Sequence, residues 1–226
     1  MKSKNTFIIT IDGTSGSGKS TISRLLAKNL KFTLLDSGKL YRSAGYIVSK
    51  SSNLLDSSID YKKLISQLSL KPNDTTNEYE VYFNNQSIDN YLYTEDVGKA
   101  ASVVSKVAEV RRCMFELQHS CVRGDGLIAN GRDMGSEVFP DAPLKIYIDA
   151  DLEIRAKRRF NELLEKGENV TFANIYDSLK KRDDSDMNRE ISPLKIPNNG
   201  HILDTSQLKP DAIVDKILNL YTISTN

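Results

Sequence analysis

An α/β fold, with a parallel sheet covered by helices on both faces, is what this chain predicts. Short apolar runs alternate with stretches of helical periodicity along its length. The first such run leads at once into a glycine-rich turn and a helix. Its 226 residues, 39% hydrophobic and 27% charged, suffice for one domain with a modest insertion and a real core.

Residues 7–11, Phe-Ile-Ile-Thr-Ile, read as a buried strand. Over 19–30 the apolar positions Ile22, Leu25, Leu26 and Leu30 fall at helical spacing. A second strand is expected over 32–35, ending at Asp36-Ser37-Gly38, and a helix over about 40–50. The stretch of about 69–97 differs in character. Tyr79, Val81 and Phe83 alternate on one face, and Asn84-Asn85 offers a hairpin turn before Ser87-Ile88, so a small antiparallel insertion is expected. One helical stretch over 98–121 runs through Ala101, Val104, Ala108, Arg111 and Met114. Strands are then expected at 127–129, 145–149 and 202–204. Helices are expected over about 152–166, 172–189 and 210–221, with a break at Gly167.

Charge is nearly balanced, 31 Lys and Arg against 30 Asp and Glu, which argues against a protein built to neutralise a nucleic-acid backbone. No apolar run approaches the roughly 20 residues of a membrane span. The first six residues are polar, and the apolar run after them stops at Asp12, which fits neither a signal peptide nor an anchor. A cytoplasmic protein is expected. Cys113 and Cys121 flank His119 without metal-site spacing and stand too far apart on a helix for a disulfide, so packing thiols are expected.

Gly13-Thr14-Ser15-Gly16-Ser17-Gly18-Lys19-Ser20 fits the Walker A pattern in full, between a strand and a helix. Glycines let successive backbone N–H groups wrap around phosphate oxygens, and the helix start adds its positive dipole end. Lys19 is positioned to reach the β- and γ-phosphates, and the Ser20 hydroxyl to ligate Mg²⁺.

A guanine-specific Asn-Lys-x-Asp element is absent, and the strand at 127–129 runs into Asn130 rather than a Walker B acid. Polar and basic groups instead follow the strand ends, where ligands of open α/β sheets bind. They are Asp36-Ser37-Gly38 with Tyr41-Arg42, Gly131-Arg132-Asp133-Met134-Gly135, the triplet Arg155, Arg158 and Arg159 on one helical face, and the run from Arg182 to Arg189. Forked guanidiniums suit phosphate recognition, and their number suggests two anionic ligands. An acceptor that is itself a phosphate is largely ionised at neutral pH, so alignment and charge neutralisation would suffice without a general base. A chain rich in arginine and holding two histidines fits that demand. Kinases for another small acceptor, and nucleotide-dependent switches, share the loop and remain alternatives at this point.

Taken together, Ile11-Asp12-Gly13 through Thr21, Leu35-Asp36-Ser37-Gly38 with Tyr41-Arg42, Gly131 to Gly135, Val138-Phe139-Pro140-Asp141-Ala142, and Arg182-Asp183-Asp184 with Asp186 and Arg189 closely resemble bacterial cytidylate kinases over roughly residues 6–221. The resemblance implies a nucleoside-monophosphate kinase fold: a five-stranded parallel core (about 6–60 and 100–226), an antiparallel monophosphate-binding insertion (about 61–99) and a helical lid (about 155–182). It implies transfer of a phosphoryl group from MgATP to CMP, with dCMP accepted and UMP a poorer acceptor, by a monomer acting in pyrimidine nucleotide metabolism without nucleic-acid or membrane partners.

Carried over by position, Gly13 through Thr21 with Arg155, Arg158 and Arg159 would bind ATP, with Ser20 on the metal. Ser37 and Asp186 would hold the ribose of CMP, and Tyr41 would also bind CMP. Ser102, Arg111, Asp133 and Arg189 would surround the cytosine, and Arg42, Arg132 and Arg182 would meet its phosphate. Lys19, Arg132, Arg158 and Arg182 would carry catalysis. Two positions depart from the family's pattern. Thr14 stands where proline is usual, which is expected only to loosen the turn. Asn130 stands where an acid is usual, which is expected to weaken the hold on a magnesium-bound water.

Overall fold

The computed structural model describes residues 6–51, 59–165 and 167–225. Most of the polar N-terminal segment, and Lys166 at the expected end of one helix, lie outside them. In chain order the elements are β1 (Phe7–Gly13), α1 (Lys19–Leu30), β2 (Thr33–Asp36), α2 (Ser37–Ser51), α3 (Tyr61–Ile65), β3 (Leu68–Asn73), β4 (Glu78–Phe83), β5 (Gln86–Ser87), α4 (Glu95–Val104), α5 (Ala108–His119), β6 (Gly126–Asn130), β7 (Leu144–Asp149), α6 (Leu152–Glu165), α7 (Phe172–Met187), β8 (His201–Asp204) and α8 (Pro210–Thr225). A 3-10 turn at Asp89–Tyr91 and a π-helical turn at Met134–Val138 complete the set. The expected α/β class, mostly parallel, holds.

Two compact units divide the chain, one built on Ala27–Ala129 and the other on Phe7–Leu26 with Asn130–Asn226. In the first, the strands lie in the order β3-β4-β2-β6, with β5 beside β4. The β4–β5 hairpin turns at Asn84 and Asn85, whose φ values of 48° and 63° are those of a type I′ turn. The hairpin is antiparallel as expected, but it does not stand apart: β4 also pairs in parallel with β2 at Leu34 and Glu78. Gly45 of α2 lies against the α4 backbone, where a Cβ would come within 2.6 Å of the Ala101 nitrogen. That contact requires glycine. Leu40, Ile47, Leu92, Val104 and Met114 of the same unit are all fully buried.

The helical stretch expected over 98–121 is two helices. Val107 is extended (φ −82°, ψ 119°) and opens α5 without a side-chain cap, although the apolar spacing runs on across the break. α2 likewise starts at Ser37 rather than near residue 40. Cys113 and Cys121 are buried free thiols, as expected. Burial raises both, Cys121 to about 12.

In the second unit β1, β7 and β8 form a parallel run, with Ile11 opposite Ile146 and Ile148 opposite Leu203. Of the five strands expected for the parallel sheet, these three lie here and β2 and β6 in the first unit. Gly13 closes β1 at φ 143°, and a Cβ there would sit 1.8 Å from the Ile148 carbonyl oxygen. The chain can begin the phosphate loop this close to β7 only with glycine. Gly167 ends α6: its N–H donates to the Leu164 carbonyl (2.9 Å) and that of Glu168 to Leu163 (3.0 Å), the paired bonds of a Schellman stop.

Candidate active site

In the second unit the loop of residues 13–20 is held in shape by its own chain. Lys19 is buried, and its Nζ donates to the Thr14 carbonyl and approaches Ser17 Oγ at 3.4 Å. Ser17 Oγ donates to the same carbonyl at 2.9 Å. Strand ends brace the loop from outside. Thr205, just past β8, donates its hydroxyl to the Ser17 carbonyl at 2.8 Å. Thr14 Oγ1 donates to Asp149 Oδ1, at the end of β7, at 2.7 Å. Thr14 therefore anchors the turn it was expected to loosen.

The arginine triplet of α6 does not share one environment. Arg155 is buried, and its guanidinium donates to the carbonyls of Ala150 (2.8 Å) and Ser15 (3.0 Å) and to Asp183 Oδ2 (2.6 Å). Arg158 is half-buried and donates to Thr205 Oγ1 at 3.2 Å and to the Thr205 carbonyl. Arg159 is exposed and pairs with Glu162 at 2.8 Å. A stripe read from i, i+3, i+4 spacing is split by what its neighbours bury.

A second constellation in the same unit joins the expected acceptor residues. Arg132 Nε donates to Asp186 Oδ2 at 3.0 Å. Arg189 stands 3.7 Å from Asp133 and 3.9 Å from Asp186. Arg132 and Arg189 thus face two carboxylates, with Asp133 nearly inaccessible. Arg182 is exposed on α7. Arg189 lies beyond the end of α7, which stops at Met187 rather than at 189.

Asp12 ties the two constellations together. It directly precedes the phosphate loop, and its carboxylate accepts the backbone N–H groups of Met134 (2.8 Å) and Gly135 (2.7 Å), at the start of the π-helical turn that follows Arg132-Asp133. Burial pushes its pKa up to about 6. The two backbone bonds and Lys19 pull it down, and Asp133 pushes it further up. In the sequence Asp12 ends the first apolar run and falls within a motif, with no role of its own assigned. Its position at the inner end of a strand is the one signal that could have marked it.

Ser20 is exposed at the start of α1, with Asn130 Nδ2 at 3.4 Å from its hydroxyl. Asn130 Oδ1 is buried and has no hydrogen-bond partner among the described residues. An oxygen acceptor left open beside Ser20 suits a hydrated divalent cation, so this pair fits Mg²⁺.

The first unit holds the other expected acceptor residues. Ser37 is buried and accepts from Gln118 Nε2 at 2.9 Å. Arg111 is buried and lies over the Tyr41 ring, 5.5 Å from its centroid. Arg42 donates to the carbonyls of Leu92 (2.9 Å) and Thr94 (3.3 Å) and covers Tyr93. Ser102 is exposed on α4. Gln118 was not anticipated; glutamine on a helix carries no signal until the fold brings it to Ser37.

The profile of the cytidylate kinase family matches residues 9–223. Cytidylate kinase 1 of Haemophilus influenzae is 38% identical over 211 residues, covering 93% of this chain and 91% of that protein. The cytidylate kinase of Pasteurella multocida is 39% identical over 215 residues, covering 95% of each. Among solved structures, an uncharacterized protein from Eubacterium ventriosum has a similar fold, with a TM-score of 0.53 at 14% identity over 95% of this chain and 97% of that one. That likeness speaks to the fold alone. With a family match over nearly its whole length and relatives of such identity and coverage, the chain belongs to the cytidylate kinase family.

Proposed function

We propose that this protein transfers the γ-phosphoryl group of MgATP to CMP, giving CDP and ADP, with dCMP as a second acceptor and UMP a weaker one. The observation that carries this reading is the Asp12 link, within one unit, between a preformed phosphate loop and a ring of two arginines and two carboxylates. The acceptor's phosphate is already nucleophilic, so the residues need only align it and neutralise charge. Lys19 and the backbone N–H groups of residues 13–21 hold the donor's phosphates. Arg132 and Arg182 meet the transferring group and the CMP phosphate, and Arg158 joins them from α6 once it exchanges Thr205 for ligand.

In the first unit Arg42 serves the CMP phosphate, Ser37 the ribose, Ser102 and Arg111 the cytosine, and Tyr41 also contacts CMP. In the second, Asp186 serves the ribose, and Asp133 and Arg189 the base. Arg159 serves ATP from a lid of about 155–182, while about 61–99 forms the monophosphate-binding insertion. Ser20 would hold Mg²⁺, with Asn130 meeting it through water. When bound, the metal neutralises charge on the phosphate oxygens. A cytoplasmic monomer serving pyrimidine nucleotide metabolism fits these substrates.

The test is ADP formation from MgATP with CMP, dCMP, UMP, AMP, GMP or no acceptor. CMP-dependent turnover well above the others is expected. Preference for another acceptor, or slow hydrolysis independent of any acceptor, would overturn the proposal.

A further inference from the structure

The Ser15 peptide of the phosphate loop is gripped from both sides. Its carbonyl accepts from Arg155 Nη1 at 3.0 Å, and its N–H donates to Asp183 Oδ1 at 3.4 Å. Arg155 and Asp183 are bonded to each other at 2.6 Å, and both are more than nine-tenths buried. A third donor of the guanidinium is fixed on the Ala150 carbonyl. Gly16, the next loop residue, rests on the same side chain: a Cβ there would stand 3.3 Å from Arg155 Cβ. These are the bonds of a buried framework. Its Nε and Nη1 donors are occupied by protein, which fixes the guanidinium against the Ser15 carbonyl.

Asp183 and Asp186 stand three residues apart on α7, hence nearly one turn apart on one side of the helix. The first reaches the donor loop through Ser15 and Arg155. The second reaches the acceptor arginines Arg132 and Arg189. A single turn of α7 therefore touches both halves of the candidate site.

We propose that Arg155 and Asp183 are a positioning pair that sets the Ser15 peptide for phosphate binding, and that α7 thereby couples ATP affinity to the acceptor side. On this assignment Arg155 acts through the loop rather than as a ligand of ATP. The inference rests on the phosphoryl-transfer reading for its kinetic readout alone, because nucleotide binding can be measured without it.

The test uses Arg155→Lys, Asp183→Asn, and the double variant Arg155→Met with Asp183→Leu, which removes both buried charges together and so avoids leaving either alone. MgATP affinity is measured by titration without acceptor, alongside kcat, KM for both substrates and thermal unfolding. All three variants are expected to lose about tenfold to a hundredfold in MgATP affinity. The double variant should lose no more than Asp183→Asn, because the pair acts as a unit, and Arg155→Lys should recover part of the loss by restoring one donor. KM for CMP should rise in the same order. An Asp183→Asn protein with unchanged MgATP affinity would sink the proposal, since a direct Arg155–ATP contact predicts that result. So would variants that lose only thermal stability. Wild-type protein that binds MgATP but shows no CMP-dependent turnover would count against the reaction, leaving the affinity comparison to decide on the pair.

Discussion

Within the second unit, the phosphate loop and the Arg132–Asp186–Arg189–Asp133 ring are organised by opposite means. Most of the loop's bonds run through backbone and hydroxyls, with Lys19 and Ser17 on the Thr14 carbonyl and Thr205 on Ser17, and buried side chains fix the rest, Asp149 on Thr14 and the Arg155–Asp183 pair on Ser15. Its shape exists before any ligand arrives, which is the preorganisation that anion binding rewards. The ring is held by charge against charge, over 3.0 to 3.9 Å, with Arg132 and Asp186 each nearly one-fifth exposed. A phosphate entering there competes with carboxylates for the same guanidiniums. Donor binding is thus expected to be a matter of fit, and acceptor binding a matter of exchange.

Four experiments press on that contrast. The largest effect is expected from Lys19→Ala, which removes the cation from the preformed loop: kcat should fall about a thousandfold, with a native circular dichroism spectrum. Near-normal turnover would dissolve the distinction, since the loop would then not be clamping phosphate.

The next concerns Asp12, which belongs to both halves. Its pKa is raised from 3.8 to about 6, so the folded state takes up its proton at a higher pH than the unfolded chain does. Asp12 therefore favours folding most below pH 3.8, and that contribution is lost as pH rises through about 6. Relative to Asp12→Asn, the wild type should lose about 2 kcal/mol of unfolding free energy between pH 4 and 7. Urea titrations across that range measure it, and parallel pH profiles would show that the carboxylate is not perturbed.

Arg132→Ala should raise KM for CMP about thirtyfold, the worth of a charge-assisted bond, and KM for ATP by a much smaller factor, carried from Asp186 to Asp183 along α7. Equal changes in both would mean that the two halves are one rigid site. The smallest effect is expected from Thr14→Val, which keeps the shape and removes the bond to Asp149, for about 1 kcal/mol in chemical unfolding.

Local features were legible in the sequence to the degree that their cause was local. The strand, glycine-rich turn and helix around Lys19 carry their own geometry, as do the Asn84-Asn85 turn and the glycine stop at Gly167. The break between α4 and α5 was not legible. Helical spacing of three and four continues from Val104 through Ala108 and Arg111 to Met114, and no glycine or proline marks the extended Val107. Nor could the three α6 arginines be told apart, since Asp183, which buries Arg155, lies 28 residues on. Thr14 misled for a similar reason: its value depends on Asp149, 135 positions away in the chain. The candidate site's residue types were readable, whereas their partners were decided by tertiary contacts.

Both cysteines of the chain are buried, and burial holds both in the thiol form. Electrophiles and oxidants act on thiolates, so at neutral pH the native protein presents them with almost no target. A single cysteine introduced at an exposed position such as Asp177 on α7 would then be the one fast-reacting thiol, and a dye placed there would report nucleotide binding against a silent background.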